Sequence, residues 1–364
     1  MRRPDTLIVG GGPAGAAMAI ALARAGERPL ILERNREPSD PLCGGFLSWT
    51  ALERLKSLGI DASDMRAHPI TRLALFAGER SAEAELPAPA AAVSRRMLDT
   101  TLLAMAEAAG AAVERGVRVR KLDRQGALLA DGAVIHGGQH VLATGKHEMP
   151  GQRRDGELED SVLGLRWRLT APDALANVLA GTIELHCFRG GYAGLVMQEN
   201  GQANLCLAIR QSRFAEEGKS PDALLTALAN EAPALAKRIG AASAVVGPDA
   251  IANVPYGWRL TPSSAVPSGL WRLGDQAGVI ASLTGEGISL ALAGGLKAAE
   301  AIRTGTPPET FQSDFRKDLH RPLTVAQLLM RAIERPGTAA FAARAGALWP
   351  PLLRTAARAT RLEV

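Results

Sequence analysis

The chain is poor in aromatic residues and in cysteines, and both shortages restrict the kinds of site that it can contain. Aromatic side chains make up 4% of its 364 residues, with two tyrosines among them, so a substrate pocket would be mostly aliphatic. The three cysteines, Cys43, Cys187 and Cys206, lie far apart, which fits neither a disulfide framework nor a Cys-x-x-Cys redox or zinc motif. We therefore expect no metal and a reducing, cytoplasmic compartment.

The charges of the chain are nearly balanced and spread along it. Lysine and arginine number 42 against 37 aspartates and glutamates, a net charge of +5, which is too diffuse to indicate nucleic-acid binding. No uncharged apolar run reaches the roughly 18 residues that a membrane-spanning helix needs, so we expect at most peripheral contact with a membrane. The basic start and the apolar stretch to Ala25 are similar to a signal peptide, but cleavage there would delete the glycine loop described next. We therefore take this segment as mature structure.

The N-terminal segment has the pattern of a dinucleotide-binding unit. A short apolar strand ends at Gly10, an alanine-rich helix follows, and a second strand ends at Glu33. In the motif Gly10-x-Gly12-x-x-Gly15, the first glycine allows the tight turn and the second lets the backbone approach a pyrophosphate. The third lets helix and strand pack closely. Glu33 is placed to accept hydrogen bonds from the ribose hydroxyls. The segment predicts a Rossmann-type nucleotide site.

The remaining chain is expected to alternate between this lobe and a second one. Strand-like runs between residues 164 and 210, separated by glycine turns, predict an antiparallel sheet. One strand is predicted over 112–122, one helix over 221–239, and mainly helix from Gly287 onward. The predicted fold is α/β, with a Rossmann-type lobe interleaved with an antiparallel-sheet substrate domain and followed by a helical C-terminus. The expected divisions are 1–150 and 269–305 for the nucleotide lobe, 151–268 for the substrate domain and 306–364 for the C-terminal helices.

A second glycine-rich region indicates which dinucleotide to expect. Gly274-Asp275-Gln276-Ala277-Gly278 and Thr284-Gly285-Glu286-Gly287-Ile288 resemble the second FAD signature of the PHBH-like flavoproteins, which include aromatic hydroxylases and geranylgeranyl reductases. An aspartate at a strand end can hold the ribityl or pyrophosphate side of FAD, and a glycine turn that opens a helix can present N–H groups to the flavin. The alternative is a loop and helix cap with Asp275 exposed. Ser282 stands where the family usually has proline, so the loop beside the flavin is expected to differ in shape.

Two further segments carry the same resemblance, which covers the chain to about residue 305. Residues 41–46 are similar to the Cys-Gly loop of geranylgeranyl reductase-like proteins, which passes near the flavin ring, and Arg95 matches a family arginine that contacts FAD. The alternatives are a buried structural Cys43 and a surface charge at a helix start. Motif and resemblance together give these candidate FAD contacts: Gly10, Gly12, Pro13, Ala14, Gly15, Glu33, Arg34, Cys43, Gly44, Gly45, Arg95, Val119, Thr144, Gly145, Gly274, Asp275, Gly285, Gly287 and Ile288.

The sequence leaves the electron donor open. No second complete Gly-x-Gly-x-x-Gly is present, so we expect NAD(P)H to visit transiently or a partner protein to deliver electrons. Thr144-Gly145 stands where aromatic hydroxylases of this family typically carry an Asp-Gly motif linked to FAD and NADPH, which puts the route of flavin reduction in doubt. The basic residues that follow could attract phosphate or be solvated loop charges; they are Lys146, His147, Arg153 and Arg154.

The reaction is less determined than the cofactor. Only Tyr192 remains of the Tyr-x-Trp-x-Phe-Pro-Lys segment of geranylgeranyl reductases, and the Trp-x-Trp-x-Ile-Pro motif of flavin-dependent halogenases is absent. The chain also resembles flavoproteins suggested to tailor polyketide-derived phenolic lipids. Hydroxylation of an apolar or phenolic substrate through a flavin C4a-hydroperoxide is our leading expectation. Reduction of C=C bonds in an isoprenoid or other lipid is the alternative, and a non-catalytic flavin carrier is a third.

Candidate catalytic groups follow from these expectations. His186, Tyr192 and His147 are candidates for a base that deprotonates a phenol, and Cys43 is a candidate through its place in the Cys-Gly loop. A lone strand histidine is more often structural, and sheet aromatics such as Tyr192 and Trp258 are more often core. Both interpretations stay open for each residue.

The C-terminal segment 341–362 is both basic and apolar. Four arginines stand among alanines, leucines and Trp349, a composition that suits contact with a membrane surface. The alternative is a helix packed on the domain with solvated arginines.

Overall fold

The computed structural model describes residues 4–152, 154, 160–261 and 269–362; Arg153 therefore lies outside the described residues. The strands are β1 (Thr6–Val9), β2 (Pro29–Glu33), β3 (Phe46–Leu47), β4 (His68–Ala77), β5 (Arg80–Ala92), β6 (Ala112–Arg115), β7 (Val119–Asp123), β8 (Gly126–Leu129), β9 (Val134–Ile135), β10 (Gln139–Leu142), β11 (Val162–Thr170), β12 (Thr182–Phe188), β13 (Gly191–Met197), β14 (Gln202–Arg210), β15 (Ser243–Val254) and β16 (Leu270–Arg272). The helices are α1 (Pro13–Arg24), α2 (Trp49–Ser57), α3 (Arg95–Ala108), α4 (Asp173–Leu179), α5 (Gln211–Glu216), α6 (Pro221–Glu231), α7 (Pro233–Gly240), α8 (Gly287–Arg303), α9 (Pro308–Asp318), α10 (His320–Ile333), α11 (Pro336–Leu348) and α12 (Pro351–Ala359).

The nucleotide lobe is built on a parallel sheet. Its strand order is β16-β10-β1-β2-β6, and every neighbouring pair is parallel. Helix α1 packs between this sheet and helices α3 and α8, so β1 is buried along its whole length. Burial on both faces explains why the strands are continuous apolar runs. The α/β fold with a Rossmann-type lobe is confirmed.

Two predicted elements are each divided in the structure. The strand predicted over 112–122 ends at Arg115 because Gly116 has a positive φ of 77°, a conformation that favours glycine. The chain then enters β7, which pairs with β8 and β9 in a separate small sheet. The helix predicted over 221–239 is two helices, since Pro233 lacks an N–H and disfavours the helical conformation in the residue before it.

The large sheet draws its strands from two parts of the chain. Its order is β15-β11-β14-β13-β12-β4-β5-β3, and its pairs are antiparallel except for β4 with β12, which is parallel. Strands β3 to β5 come from residues 46–92, ahead of most of the nucleotide lobe. The strands predicted between residues 164 and 210 pair antiparallel, as expected. The sheet becomes mixed only where β4 joins it, because a distant segment leaves no local signal of its register.

Alternation along the strands gives the large sheet two distinct faces. One face packs against helices α4, α6 and α7 in a separate apolar cluster that includes Trp167, Ala193 and Leu205. The opposite face looks toward the nucleotide lobe. Helices α11 and α12 pack on β5 beside it. None of the described helices has the length and apolarity needed to cross a membrane.

Candidate active site

The turn between β1 and α1 is shaped by close backbone contacts. A Cβ on Gly15 would lie 2.2 Å from the carbonyl oxygen of Gly10, and a Cβ on Gly10 would lie 2.4 Å from the carbonyl oxygen of Ala143. Gly10 also has a φ of 111°. Helix α1 begins at Pro13, and its N-cap Gly12 uses no side chain to cap the helix. No side chain therefore caps the start of α1, and Gly12 and Ala14 line the cavity described below, as an anion-binding helix start requires.

The carboxylate of Glu33 is fixed beside this turn. One of its oxygens accepts from the backbone N–H of Gly11 and the other from that of Asn35, both at 2.9 Å. The next residue, Arg34, lies with Nη2 2.7 Å from Nε2 of His147. Burial and the Arg34 guanidinium lower the pKa of this imidazole. The Glu33 carboxylate is thus held at the end of β2, where it could accept hydrogen bonds from a ribose.

One cavity of about 1200 Å³ runs from the glycine turn to the large sheet. Every candidate FAD contact from the sequence lines it except Gly15, which supports the turn from behind by packing on Gly10. The two glycine-rich regions, separated by more than 250 residues in sequence, meet across this space. The residues fit FAD, because the cradle exists only where Cβ atoms are missing and a fixed carboxylate lies at its end.

Charged side chains in the cavity are mostly paired with each other. Arg95 makes a two-pronged ion pair with Asp99, with N···O distances of 2.9 and 2.8 Å. Lys146 Nζ lies 3.5 Å from Asp275 Oδ2, and this carboxylate raises the pKa of the Lys146 ammonium. Arg154 donates to the carbonyls of Gly145, Lys146 and Asp275. Arg154 therefore holds the loop rather than standing free for phosphate.

The far end of the cavity is an aliphatic wall on the large sheet. Paired residues of neighbouring strands point the same way, as Leu75 with Leu185 and Leu185 with Gly194 show. Further apolar side chains extend the wall: Leu73, Ile183, Val196, Ile251 and Val254. An aliphatic lining agrees with the low aromatic content.

Both tyrosines of the chain meet at this wall. Tyr192 Oη lies 2.6 Å from Ser282 Oγ, and the hydroxyl of Tyr256 also hydrogen-bonds Ser282 Oγ. All three residues line the cavity. Burial raises the pKa of Tyr192 well above its usual value and that of Tyr256 to about 12. We call these three residues the hydroxyl cluster; its phenols keep their protons at any physiological pH.

Comparison with known proteins agrees with the cofactor that this geometry fits. Residues 3–133 match the family of the FAD binding domain. The chain therefore contains an FAD binding domain. Among solved structures, the flavoprotein is similar to the flavin-dependent brominase Bmp2, with a TM-score of 0.78 and 18% identity over 99% of this chain and 93% of that one.

Curated relatives extend over most of the flavoprotein. It is 28% identical to "Menaquinone reductase" of Mycobacterium tuberculosis (strain ATCC 25618 / H37Rv), over 91% of this chain and 84% of the relative. It is also 28% identical to "Digeranylgeranylglycerophospholipid reductase 2" of Methanopyrus kandleri, over 86% and 80% of the two chains.

The catalytic candidates from the sequence occupy different places in the flavoprotein. Tyr192 and Cys43 line the cavity, and Cys43 Sγ accepts from the N–H of Gly45 at 3.4 Å. His186 lies on the opposite face of the sheet, fully buried. Its ring stacks on Phe76 with centroids 4.6 Å apart, and its Nε2 lies 3.0 Å from Glu184 Oε2. This is a structural environment, and we assign His186 no role in the reaction.

Sequence reasoning missed the partners that give Tyr192 its setting. In the sequence, Ser282 stands out only as a departure from the family's proline, and nothing singles out Tyr256. The side chain of a proline at position 282 could not hydrogen-bond either phenol. The signal in the sequence was this substitution together with the scarcity of tyrosine, but neither indicates that the two rings converge.

A buried polar network ties the C-terminus to the loop before α8. Glu286 is fully buried, and its Oε1 lies 3.2 Å from Arg361 Nε. Arg361 also donates to the carbonyl of Thr284 at 2.9 Å and lies 4.2 Å from the ring centroid of Trp49. Arg54 donates to the carbonyl of Leu362 at 2.8 Å. The chain end is thereby fastened beside Gly285 and Gly287, which line the cavity.

Proposed function

We propose that this flavoprotein reduces carbon–carbon double bonds in an apolar, lipid-type substrate. The observation that carries the proposal is the hydroxyl cluster at the aliphatic end of the cavity. Its three hydroxyls have three protons and make two hydrogen bonds with one another. One proton is therefore left to donate to a substrate atom.

Reduction of a C=C bond adds a hydride to one carbon and a proton to the other. Reduced FAD, when bound, supplies the hydride. The hydroxyl cluster holds the proton close to the apolar wall, and the Tyr256 pKa of about 12 keeps it in place until the reaction draws it away. The aliphatic side chains position the chain of the substrate and keep water out.

The names of the curated relatives support the same class of reaction. One relative is a menaquinone reductase and another a digeranylgeranylglycerophospholipid reductase. Both names describe reduction of a compound with a long apolar chain. The aliphatic wall of this cavity suits such a chain better than a small polar acid.

Hydroxylation of a lipophilic phenol is the second candidate, and Lys146 favours it. Its ammonium lines the cavity, and Asp275 keeps it charged by raising its pKa. A fixed positive charge would stabilise a phenolate, the form of a phenol that is most readily oxygenated. The neutral phenols of the hydroxyl cluster are poor bases for forming that phenolate, which is why we rank reduction first.

The two reactions are separated by their need for oxygen. We expect the dithionite-reduced holoenzyme, kept anaerobic, to convert geranylgeraniol to a product that carries two more hydrogen atoms, detected by mass spectrometry. Hydroxylation would instead add one oxygen atom to heptylresorcinol in air, with label from ¹⁸O₂. Oxygen incorporation without any anaerobic product would overturn the proposal of reduction.

The hydroxyl cluster is tested by removing its protons stepwise. We expect the double variant Tyr192→Phe/Tyr256→Phe to slow reoxidation of the reduced flavin by the alkene about 10²- to 10⁴-fold, the usual range for a general acid. Each single variant should lose less, because the remaining hydroxyls can still donate. Flavin reduction by dithionite should not change. Thr324→Val, which removes an exposed hydroxyl on α10, is the control.

We further propose NAD(P)H as a transient electron donor. Thr144 replaces the aspartate of the Asp-Gly motif that aromatic hydroxylases carry, and Arg154 is already bound to backbone carbonyls. The nucleotide would therefore bind weakly, near the exposed Arg34 at the edge of the cavity. Stopped-flow reduction of the bound flavin by NADPH and NADH tests this. Reduction by dithionite with none by either nucleotide would indicate a partner protein as the donor.

A further inference from the structure

Large apolar side chains are exposed mainly at the C-terminal end of the molecule. Among the described residues, three of the exposed ones are valines placed singly elsewhere, and the others belong to α10, α11, α12 and the turn between the last two. We call this group the C-terminal surface. Its members and their exposed fractions are Leu328 (59%), Phe341 (71%), Leu348 (78%), Trp349 (58%) and Leu352 (37%).

Most of the apolar side chains of the C-terminal surface follow one another along α11 and into α12. Phe341 and Leu348 are seven residues apart on α11, two turns of one helix face. Trp349 and Leu352 continue from Leu348 around the turn into α12. The opposite side of α11 packs on the large sheet, where Gly346 approaches Ala82. The exposed side is thus left without a partner within the described chain.

The same segment carries positive charge and no negative charge. Residues 335–362 contain five arginines and neither aspartate nor glutamate. Arg361 is buried against Glu286, whereas Arg335, Arg344 and Arg358 are exposed and Arg354 is half-buried. Within the described part of the chain, no ion pair is formed by these last four. Exposed leucine, phenylalanine and tryptophan among unpaired arginines match an anionic lipid surface.

The C-terminal surface is continuous with the cavity. Leu352 belongs to both, being partly exposed and also lining the cavity wall. Its neighbours Leu353 and Ala356 on α12, and Leu329 and Ile333 on α10, line the cavity from beneath. An apolar path therefore leads from the exposed face of these helices to the aliphatic wall.

We infer that the C-terminal surface docks on an anionic lipid bilayer and that the apolar substrate enters the cavity directly from the bilayer. The second part rests on the proposed function, since it requires a lipid-type substrate. A second copy of this chain is a poorer occupant, because a symmetric contact through this surface would bring its arginines face to face. Arginine side chains near an anionic surface each strengthen binding about fivefold.

Docking is measured with purified holoenzyme and vesicles. We expect cosedimentation with vesicles of phosphatidylglycerol and phosphatidylcholine in equal parts, much less with phosphatidylcholine alone, and release by salt. The variant Arg344→Gln/Arg354→Gln/Arg358→Gln should bind roughly a hundredfold more weakly. Phe341→Ser/Trp349→Ser should also lose binding. Val134→Ser/Val178→Ser, which removes two exposed valines outside the C-terminal surface, is the matched control and should bind like the wild type.

Three results would overturn the inference. The first is wild-type protein that stays in the supernatant with anionic vesicles, and the second is variants of the C-terminal surface that bind as well as the wild type. The third is a stable dimer in analytical ultracentrifugation that becomes monomeric in Phe341→Ser/Trp349→Ser, which would make a second copy the occupant. Circular dichroism and bound FAD confirm that each variant is folded.

Vesicle binding is independent of turnover, so its failure is distinguishable from failure of the proposed reduction. Where turnover is present, the Phe341→Ser/Trp349→Ser variant should keep its activity on detergent-dispersed geranylgeraniol and lose it about in proportion to binding when the alkene is embedded in vesicles. Equal activity of variant and wild type on the embedded alkene would contradict direct entry from the bilayer.

Discussion

The two ends of the cavity are built in different ways. At the nucleotide end the wall is mainly backbone: Gly10 and Gly15 create space by lacking Cβ atoms, and no side chain caps the start of α1. At the substrate end the wall consists of side chains from the strands of the large sheet and from the C-terminal helices. The nucleotide end recognises a constant group by fixed geometry, whereas the substrate end can change with each side chain.

This difference predicts where the molecule tolerates substitution. A cavity wall made of backbone should lose its shape when a single atom is added, because the main chain cannot move aside as a side chain can. A side-chain wall adapts, and its changes should affect the reaction more than the fold.

Gly15→Ala should have the largest effect, because it should abolish FAD binding as well as lower stability. Its Cβ would lie 2.2 Å from the carbonyl oxygen of Gly10, so β1 and α1 must separate, at a cost of about 1–3 kcal/mol for overpacking and with loss of the FAD cradle. We expect little or no bound FAD in the purified protein and a lower melting temperature. Gly240→Ala, where a Cβ meets nothing within 4 Å, is the control and should keep both. A Gly15→Ala protein with bound FAD and normal stability would contradict the idea that the backbone wall tolerates no added atom.

A substitution at the junction between the two ends should lower the free energy of unfolding without removing the FAD cradle. Arg361→Met leaves the fully buried Glu286 without its cation, and removing one partner of a buried pair typically costs about 3–5 kcal/mol. Burial already raises the pKa of Glu286, so protonation should limit the loss to the lower part of that range. Denaturant unfolding measures it. The double variant Glu286→Gln/Arg361→Met should recover part of the stability; no recovery would mean that Arg361 acts through its stacking on Trp49.

The contrast also explains what could be predicted from the sequence. Gly10, Gly12, Gly15 and Glu33 follow from chemistry that is local in the chain, so the Rossmann lobe and its contacts were predictable residue by residue. The pairing of β4 with β12, which brings residues 68–77 into the substrate wall, depends on register between distant segments. A two-residue periodicity gives alternation along one strand but not which face becomes the cavity, and this is why His186 and Tyr192 were equally plausible before the structure.

The smallest expected effect concerns the pH dependence of stability. Burial raises the pKa of folded Tyr256 to about 12, whereas in the unfolded chain it returns to about 10. The folded state holds this proton more tightly, so the stabilisation is complete below about pH 10 and is lost as the pH rises toward 12. Two pKa units correspond to about 2–3 kcal/mol.

Tyr256→Phe should therefore lose less free energy of unfolding than the wild type between about pH 10 and 12, measured by urea unfolding at each pH. Cys187 and Cys206, whose pKa values burial also raises to about 12, contribute equally in both proteins and cancel in the difference. If the free energy of unfolding fell equally with pH in both proteins, the Tyr256 phenol would be open to water. The proposal that the hydroxyl cluster holds a proton for the reaction would then lose its support.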